Sequence, residues 1–207
     1  MATYTEDGAL VLADISGFTA FVTATELEHG PPIVAELLSE VIRQLAPPLE
    51  IQEVEGDAVF ALGPDRAVAP DTLPNVLTRA YAAFRERQRE MQAGETCTCN
   101  ACRNVWRLDL KIVAHHGRFL RQLVGGRSQV AGADVILAHR LLKNRLGRAP
   151  AYLLMTEAAL RWMGVDPARE GLVAYEERYE HLGAVKCFVW SLAARDPAGP
   201  ARAASIA

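Results

Sequence analysis

Apolar and polar positions along the chain follow two rhythms. Leu10-Val11-Leu12-Ala13 is an unbroken apolar run, and a short run of this kind predicts a buried strand over residues 9–14. Helical spacing follows from Phe18 to about Glu28 and again from Pro32 to Leu45. The Pro31-Pro32 pair separates the two, and Pro32 suits a first helical turn. Period-two alternation runs through Leu49, Ile51 and Glu53 and resumes at Ala58, after the turn dipeptide Gly56-Asp57. That pattern predicts a hairpin. A proline-rich loop over 63–74 leads into a long helix from Leu73 to Met91 with a charged, solvated end. Beyond it the spacing predicts a strand Leu108–Ala114, a hairpin partner Gly117–Val124 and a helix from Ala133 to about Arg145. A short strand Ala151–Leu154, a helix Glu157–Met163 capped by Thr156, and strands Leu172–Tyr179 and Val185–Leu192 complete the set.

The order is β-α-α-β-β-α-β-β-α-β-α-β-β. Its early βαββαβ part is a ferredoxin-like arrangement, so the expected class is α+β. An antiparallel-rich sheet with helices on one face would bury these periodicities. One domain over residues 1–194 is expected, with a cysteine-containing insertion loop at 95–104 and a disordered tail at 195–207.

Composition narrows the function classes. Half of the 207 residues are apolar and 23% are charged, enough for a real core. A net charge of -3 gives no footprint for nucleic acid. No apolar run approaches the roughly 18 residues of a membrane span, and the start lacks the basic and apolar regions of a signal peptide. A cytoplasmic protein is expected. Cys97, Cys99 and Cys102 lie within six residues. In a reducing compartment such a cluster suggests metal or redox chemistry more than disulfides.

One carboxylate is out of place. Asp14 closes the first apolar run, and a buried unpaired carboxylate is expensive. Asp57 sits in the hairpin turn, and in a ferredoxin-like sheet the first strand and that hairpin are neighbours. Two carboxylates at one sheet end suit a hard divalent cation. The free N–H groups of the helix that follows Asp14 suit a phosphate. Each aspartate alone also reads as a turn or cap residue.

Four segments resemble the class III nucleotidyl cyclases, in order and over nearly the whole chain. Ala13-Asp14-Ile15-Ser16-Gly17-Phe18-Thr19 is similar to their first metal motif, and the Glu53-Val54-Glu55-Gly56-Asp57 stretch to their second. Leu110 to Gly117 resembles their R-I-G-I-H-x-G strand, and Val130 to Leu141 their G-x-x-V-N-x-A-x-R helix. The resemblance implies that Asp14 and Asp57, with the Ile15 carbonyl, hold two Mg²⁺ or Mn²⁺ ions. It implies that Phe18 and Thr19 begin a phosphate-facing helix, that Glu53 and Gln129 read the base, and that Arg140 stabilises the transition state. A carboxylate at position 53 accepts from guanine N1–H and N2–H₂, which favours GTP slightly over ATP; Gln129 both donates and accepts and decides little. A head-to-tail homodimer is implied, one chain giving Asp14 and Asp57 and the other Arg140.

The departures matter. The family asparagine that positions the ribose falls on Ile136, and Ala133 and Asp134 also differ from the usual residues. His115 and His116 read as structural. The cysteine loop has no counterpart in ordinary cyclase domains. Zinc commonly takes four ligands; a fourth from Cys187, a histidine or a partner chain stays open, as do redox chemistry and plain reduced thiols. Three functions compete: a cyclase releasing a 3′,5′-cyclic nucleotide and pyrophosphate, a catalytically degenerate nucleotide-, metal- or redox-responsive module, and a nucleotide hydrolase.

Overall fold

The computed structural model describes residues 3–94, 97–146 and 151–193. The expected tail at 195–207 and the first two positions of the insertion loop lie outside the described residues. The strands are β1 (Tyr4–Ser16), β2 (Glu50–Glu55), β3 (Ala58–Pro64), β4 (Asp109–Val124), β5 (Arg127–Ala131), β6 (Tyr152–Thr156), β7 (Val173–Tyr179) and β8 (Gly183–Ser191). The helices are α1 (Phe18–Thr23), α2 (Gly30–Leu45), α3 (Leu73–Gly94), α4 (Asn100–Asn104), α5 (Ala133–Leu142) and α6 (Glu157–Met163). Among the described residues no helix is long and apolar enough to cross a membrane.

All eight strands form one sheet, ordered β2-β3-β1-β4-β6-β8-β7, with β5 paired to β4. The run β2-β3-β1-β4 is antiparallel throughout, as the ferredoxin-like reading requires. β6 joins β4 in parallel. β1 is paired on both edges and buried over most of its length, which is why its sequence is a continuous apolar run rather than an alternation.

Helices cover both faces, where helices on one face were expected. Odd positions of β1 such as Val11, Ala13 and Ile15 pack with Val34, Leu37, Leu77 and Phe84 of α2 and α3. Even positions such as Leu10 and Leu12 pack with Val135, Ala138 and Leu141 of α5.

Two further expectations are corrected. Gly117 makes no turn: β4 runs unbroken from Asp109 to Val124, and its partner is β5. The turn is at Gly125-Gly126, whose φ values of 58° and 79° suit glycine. Gly117 serves another purpose, since a Cβ there would stand 2.4 Å from the Asp134 carboxyl carbon. The first helix stops at Thr23 rather than near Glu28. The Thr23 hydroxyl reaches the Ala20 carbonyl at 3.3 Å, the oxygen that Ala24 would use in a continuing helix, and the Ala24 N–H turns to the Phe21 carbonyl at 3.1 Å instead.

Candidate functional site

β1 carries Asp14 to the sheet end, in register with Ala58 on β3 and Lys111 on β4. Side chains directly opposite in an antiparallel pair share a face. Lys111 Nζ lies 2.8 Å from Asp14 Oδ2. Asp57 arrives from the β2–β3 turn, where its carbonyl accepts the Ile15 N–H at 3.1 Å. The two aspartates are therefore joined through the main chain, and their spacing is built into the ladder. The Asp57 carboxyl is pushed above its usual 3.8 by burial first and by the charge of Asp14 second, with Lys111 acting in opposition. One ammonium faces two carboxylates, so the cluster keeps formal negative charge. Hard oxygen donors in mutual repulsion fit a divalent cation, and Asp14, Asp57 and the Ile15 carbonyl are the groups at hand.

The same strand end gathers the exit of α5. Tyr152 is in register with Lys111. Its hydroxyl accepts from Asn144 Nδ2 at 2.8 Å, and burial raises its pKa. Asn144 also donates to the Leu141 carbonyl at 2.8 Å, which closes α5 well before Arg145. The α1 segment starts beyond Gly17, whose φ is 87°. Phe18 packs against the first core and Thr19 is exposed.

The remaining residues implied by the resemblance lie apart from the aspartates in one chain. Glu53 is exposed and opposite Phe60, which belongs to the second core, so it stands on the α5 side of the sheet. Its neighbour Gln52 donates to the Ser128 carbonyl at 3.2 Å, which brings Gln129 close by. Arg140 is exposed and, among the described residues, its guanidinium has no hydrogen bond or ion pair; its charge reaches Tyr179 on β7. Ile136, one turn earlier on α5, is 54% exposed. Arg140 does not meet Asp14 or Asp57 within a single chain.

His115 anchors α5. It is 5% exposed. Its Nδ1 lies 2.9 Å from the Thr156 hydroxyl and its Nε2 lies 3.0 Å from Asp134 Oδ1. The Asp134 carboxylate can only accept, so Nε2–H donates to it; in the neutral ring Nδ1 then accepts from the Thr156 hydroxyl, whose oxygen accepts from the Ala159 N–H. Asp134 also accepts the Arg118 N–H at 2.8 Å. Asp134, a departure from the cyclase pattern, thus fixes the start of α5 to β4. His116 stacks on Trp162 and contacts Asp65, which is also structural.

The cysteine loop finds its fourth group in His29, just ahead of α2. The donor atoms of His29, Cys97, Cys99 and Cys102 all lie within 4.8 Å of one another. His29 Nδ1 is 3.0 Å from Cys99 Sγ, 3.7 Å from Cys97 Sγ and 3.8 Å from Cys102 Sγ. The Cys99 thiol is pulled down to about 7, first by the Cys102 N–H it accepts and then by His29 and the neighbouring thiols. Cys187 takes no part: it is buried in the second core, with its thiol pushed up to about 12 by burial.

Sequence reasoning missed Lys111 and did not single out His29. A lone lysine in the apolar run Leu110 to Ala114 was the available signal for the first. The second had only a histidine before Gly30-Pro31-Pro32, and no local spacing joins it to residues 97–102.

Comparison with solved structures gives the fold a context. A bacterial light-regulated adenylyl cyclase superposes with a TM-score of 0.67 at 13% identity, over 91% of this chain and 52% of that one. This chain therefore spans about half the length of that cyclase. The adenylyl cyclase CyaB from P. aeruginosa superposes with a TM-score of 0.63 at 16% identity, over 92% and 96% of the two chains. The guanylyl cyclase Cya2 gives 0.62 at 16%, over 91% and 93%. At the sequence level, the family profile described as "Protein of unknown function (DUF2652)" matches residues 34–150, more than half of the chain. The uncharacterized protein Rv2561/Rv2562 of Mycobacterium tuberculosis (strain ATCC 25618 / H37Rv) is 31% identical over 172 residues, 81% of this chain and 78% of that one. Adenylyl and guanylyl cyclase domains thus share the fold at low identity, while the profile match over more than half of its length makes the chain a member of the DUF2652 family.

Proposed function

We propose that the chain is a class III nucleotidyl cyclase-like protein that converts a nucleoside triphosphate, GTP slightly before ATP, to a 3′,5′-cyclic nucleotide and pyrophosphate. The observation that carries this reading is the Asp14–Asp57 pair, joined by the Ile15–Asp57 hydrogen bond at the end of the central strand. Asp14, Asp57 and the Ile15 carbonyl would hold two Mg²⁺ or Mn²⁺ ions. Such ions, when bound, ease loss of the ribose 3′-hydroxyl proton and offset phosphate charge. In the reaction the 3′-oxygen bonds to the α-phosphorus, the bond from that phosphorus to the pyrophosphate oxygen breaks, and the hydroxyl proton is lost. The main chain at Phe18 and Thr19 would face the phosphates. Glu53 and Gln129 would read the base. Arg140, exposed and with its guanidinium unpaired among the described residues, would neutralise the reacting phosphate of a second copy in a head-to-tail homodimer.

A second reading has its own observation. Ile136 puts an exposed apolar side chain where a ribose-positioning amide is expected. That favours a catalytically degenerate module that responds to nucleotide, metal or redox state. The test is a product assay with Mn²⁺ and, separately, ATP, GTP, CTP and UTP, read by mass spectrometry. Cyclic product from one nucleotide, abolished in Asp57→Ala, supports the enzyme. Absence of product from all four, in folded dimeric protein, leaves the module reading.

A further inference from the structure

We infer that His29, Cys97, Cys99 and Cys102 form a closed four-ligand zinc site that staples the turn before α2 to the segment entering β4. The ligands come from two stretches far apart in sequence, and only the fold brings them together. One ring nitrogen, His29 Nδ1, faces all three sulfurs, at 3.0, 3.7 and 3.8 Å. A regular tetrahedron around zinc with Zn–S near 2.3 Å has edges of about 3.8 Å, so the donors need to move little to receive the ion. Three thiolates and an imidazole are a soft set that selects zinc over Mg²⁺ or Ca²⁺. Four protein ligands leave no open position, which makes the site structural and not hydrolytic.

The loop is also held by bonds that need no metal. The Glu26 carboxylate accepts the N–H groups of Asn100 and Ala101 at 3.0 and 3.1 Å. Gln88, buried in α3, donates to the carbonyls of Val105 and Leu108 at 2.9 and 2.7 Å. Ala101 and Val105 are inside the first core. These contacts preset the sulfur positions, much as outer-shell partners do in known metal sites. A disulfide is the poorer account, because one bond uses two of three thiols and gives the imidazole no role.

The staple has a reach beyond itself. The chain leaving the cluster passes the start of α1, where a Cβ on Gly17 would lie 3.2 Å from the Arg107 carbonyl. Zinc would therefore hold the approach to Asp14 and Lys111 from both strands. The inference stands apart from the cyclase reading, since it is tested without nucleotide.

The full chain, expressed with zinc in the medium and purified by gel filtration, is analysed for metal by elemental mass spectrometry. About one zinc per chain is expected in the wild type and in Cys187→Ala, with a several-fold loss in His29→Ala and Cys99→Ser. Cobalt exchange should give thiolate-to-cobalt absorption in the near ultraviolet and tetrahedral visible bands, both altered in His29→Ala. If Cys99→Ser fails to fold, wild type and His29→Ala carry the test. Folded wild type that holds no zinc and takes up no cobalt overturns the inference. So does His29→Ala with unchanged metal content and an unchanged cobalt spectrum.

Discussion

Lys111 Nζ lies 2.8 Å from Asp14 Oδ2, on the neighbouring strand and directly opposite it. The carboxylate at the end of the apolar run thus already has a cation, supplied by the chain. Replacing Lys111 with Met removes that charge and leaves Asp14 facing Asp57. The variant should lose about 2 kcal/mol of stability without divalent ions. It should also gain more from added Mn²⁺ than the wild type does. Thermal melts with and without Mn²⁺ check this, and an equal Mn²⁺ shift in both proteins would count against a shared cation site.

Gly117 is the one place on β4 where Asp134 can come in. Gly117→Ala sets a Cβ 2.4 Å from the Asp134 carboxyl carbon, so the start of α5 must shift. A cost of about 1–3 kcal/mol is expected in urea denaturation, typical of overpacking. Gly125→Ala, at a site with open space but φ of 58°, should cost less, and from backbone strain alone.

His115 makes stability depend on pH in a definite direction. Burial holds its pKa below the usual 6.5, against the pull of Asp134. As pH falls below 6.5, the unfolded chain takes up the proton first. The folded state is therefore at full strength above 6.5 and loses stability as pH falls from there toward the folded pKa. Asp134→Asn removes the group that opposes the depression and should widen the window of loss to lower pH. Urea midpoints taken from pH 7.5 to 5 in both proteins would show it; parallel profiles would rule out the coupling.

Ile136 is the sharpest departure near the proposed chemistry. If it limits turnover, Ile136→Asn should raise cyclic nucleotide formation on the order of 10²-fold, since one positioned polar contact has that scale. Its exposure means that the change should leave the melting temperature within a degree or two. A stable Ile136→Asn protein with no gain in product would favour the module reading.

The parts of the fold legible in the sequence were those set by local pattern. The β1 run, the hairpin around Gly56-Asp57, the Thr156 cap and α6 all have their cause within a few residues. What escaped was set at a distance. Gly117 looked like a turn because its reason, Asp134, lies on another element. The apolar stripe of α5 says that it packs, but not on which face of the sheet. At the candidate site, Asp14 and Asp57 were visible as carboxylates in odd places. Lys111 was hidden because cross-strand register, and not spacing, brings it to Asp14. His29 was hidden for the same kind of reason, with only the packing of α2 against α4 and α3 putting it beside the cysteines.

The central position of β1 has a consequence for how the protein is made. Its register partners run from Ala58 to Pro64 on one side and from Asp109 to Arg121 on the other. A nascent chain therefore carries the apolar run of β1 out of the ribosome before either of its partner strands, and cannot seal both edges until residue 121 is out. Until then, an unpaired edge of apolar strand is open to the wrong partner. Slow, long-range closure of this kind makes β1 the segment that a chaperone would hold, and makes truncations ending before β4 prone to aggregate rather than fold.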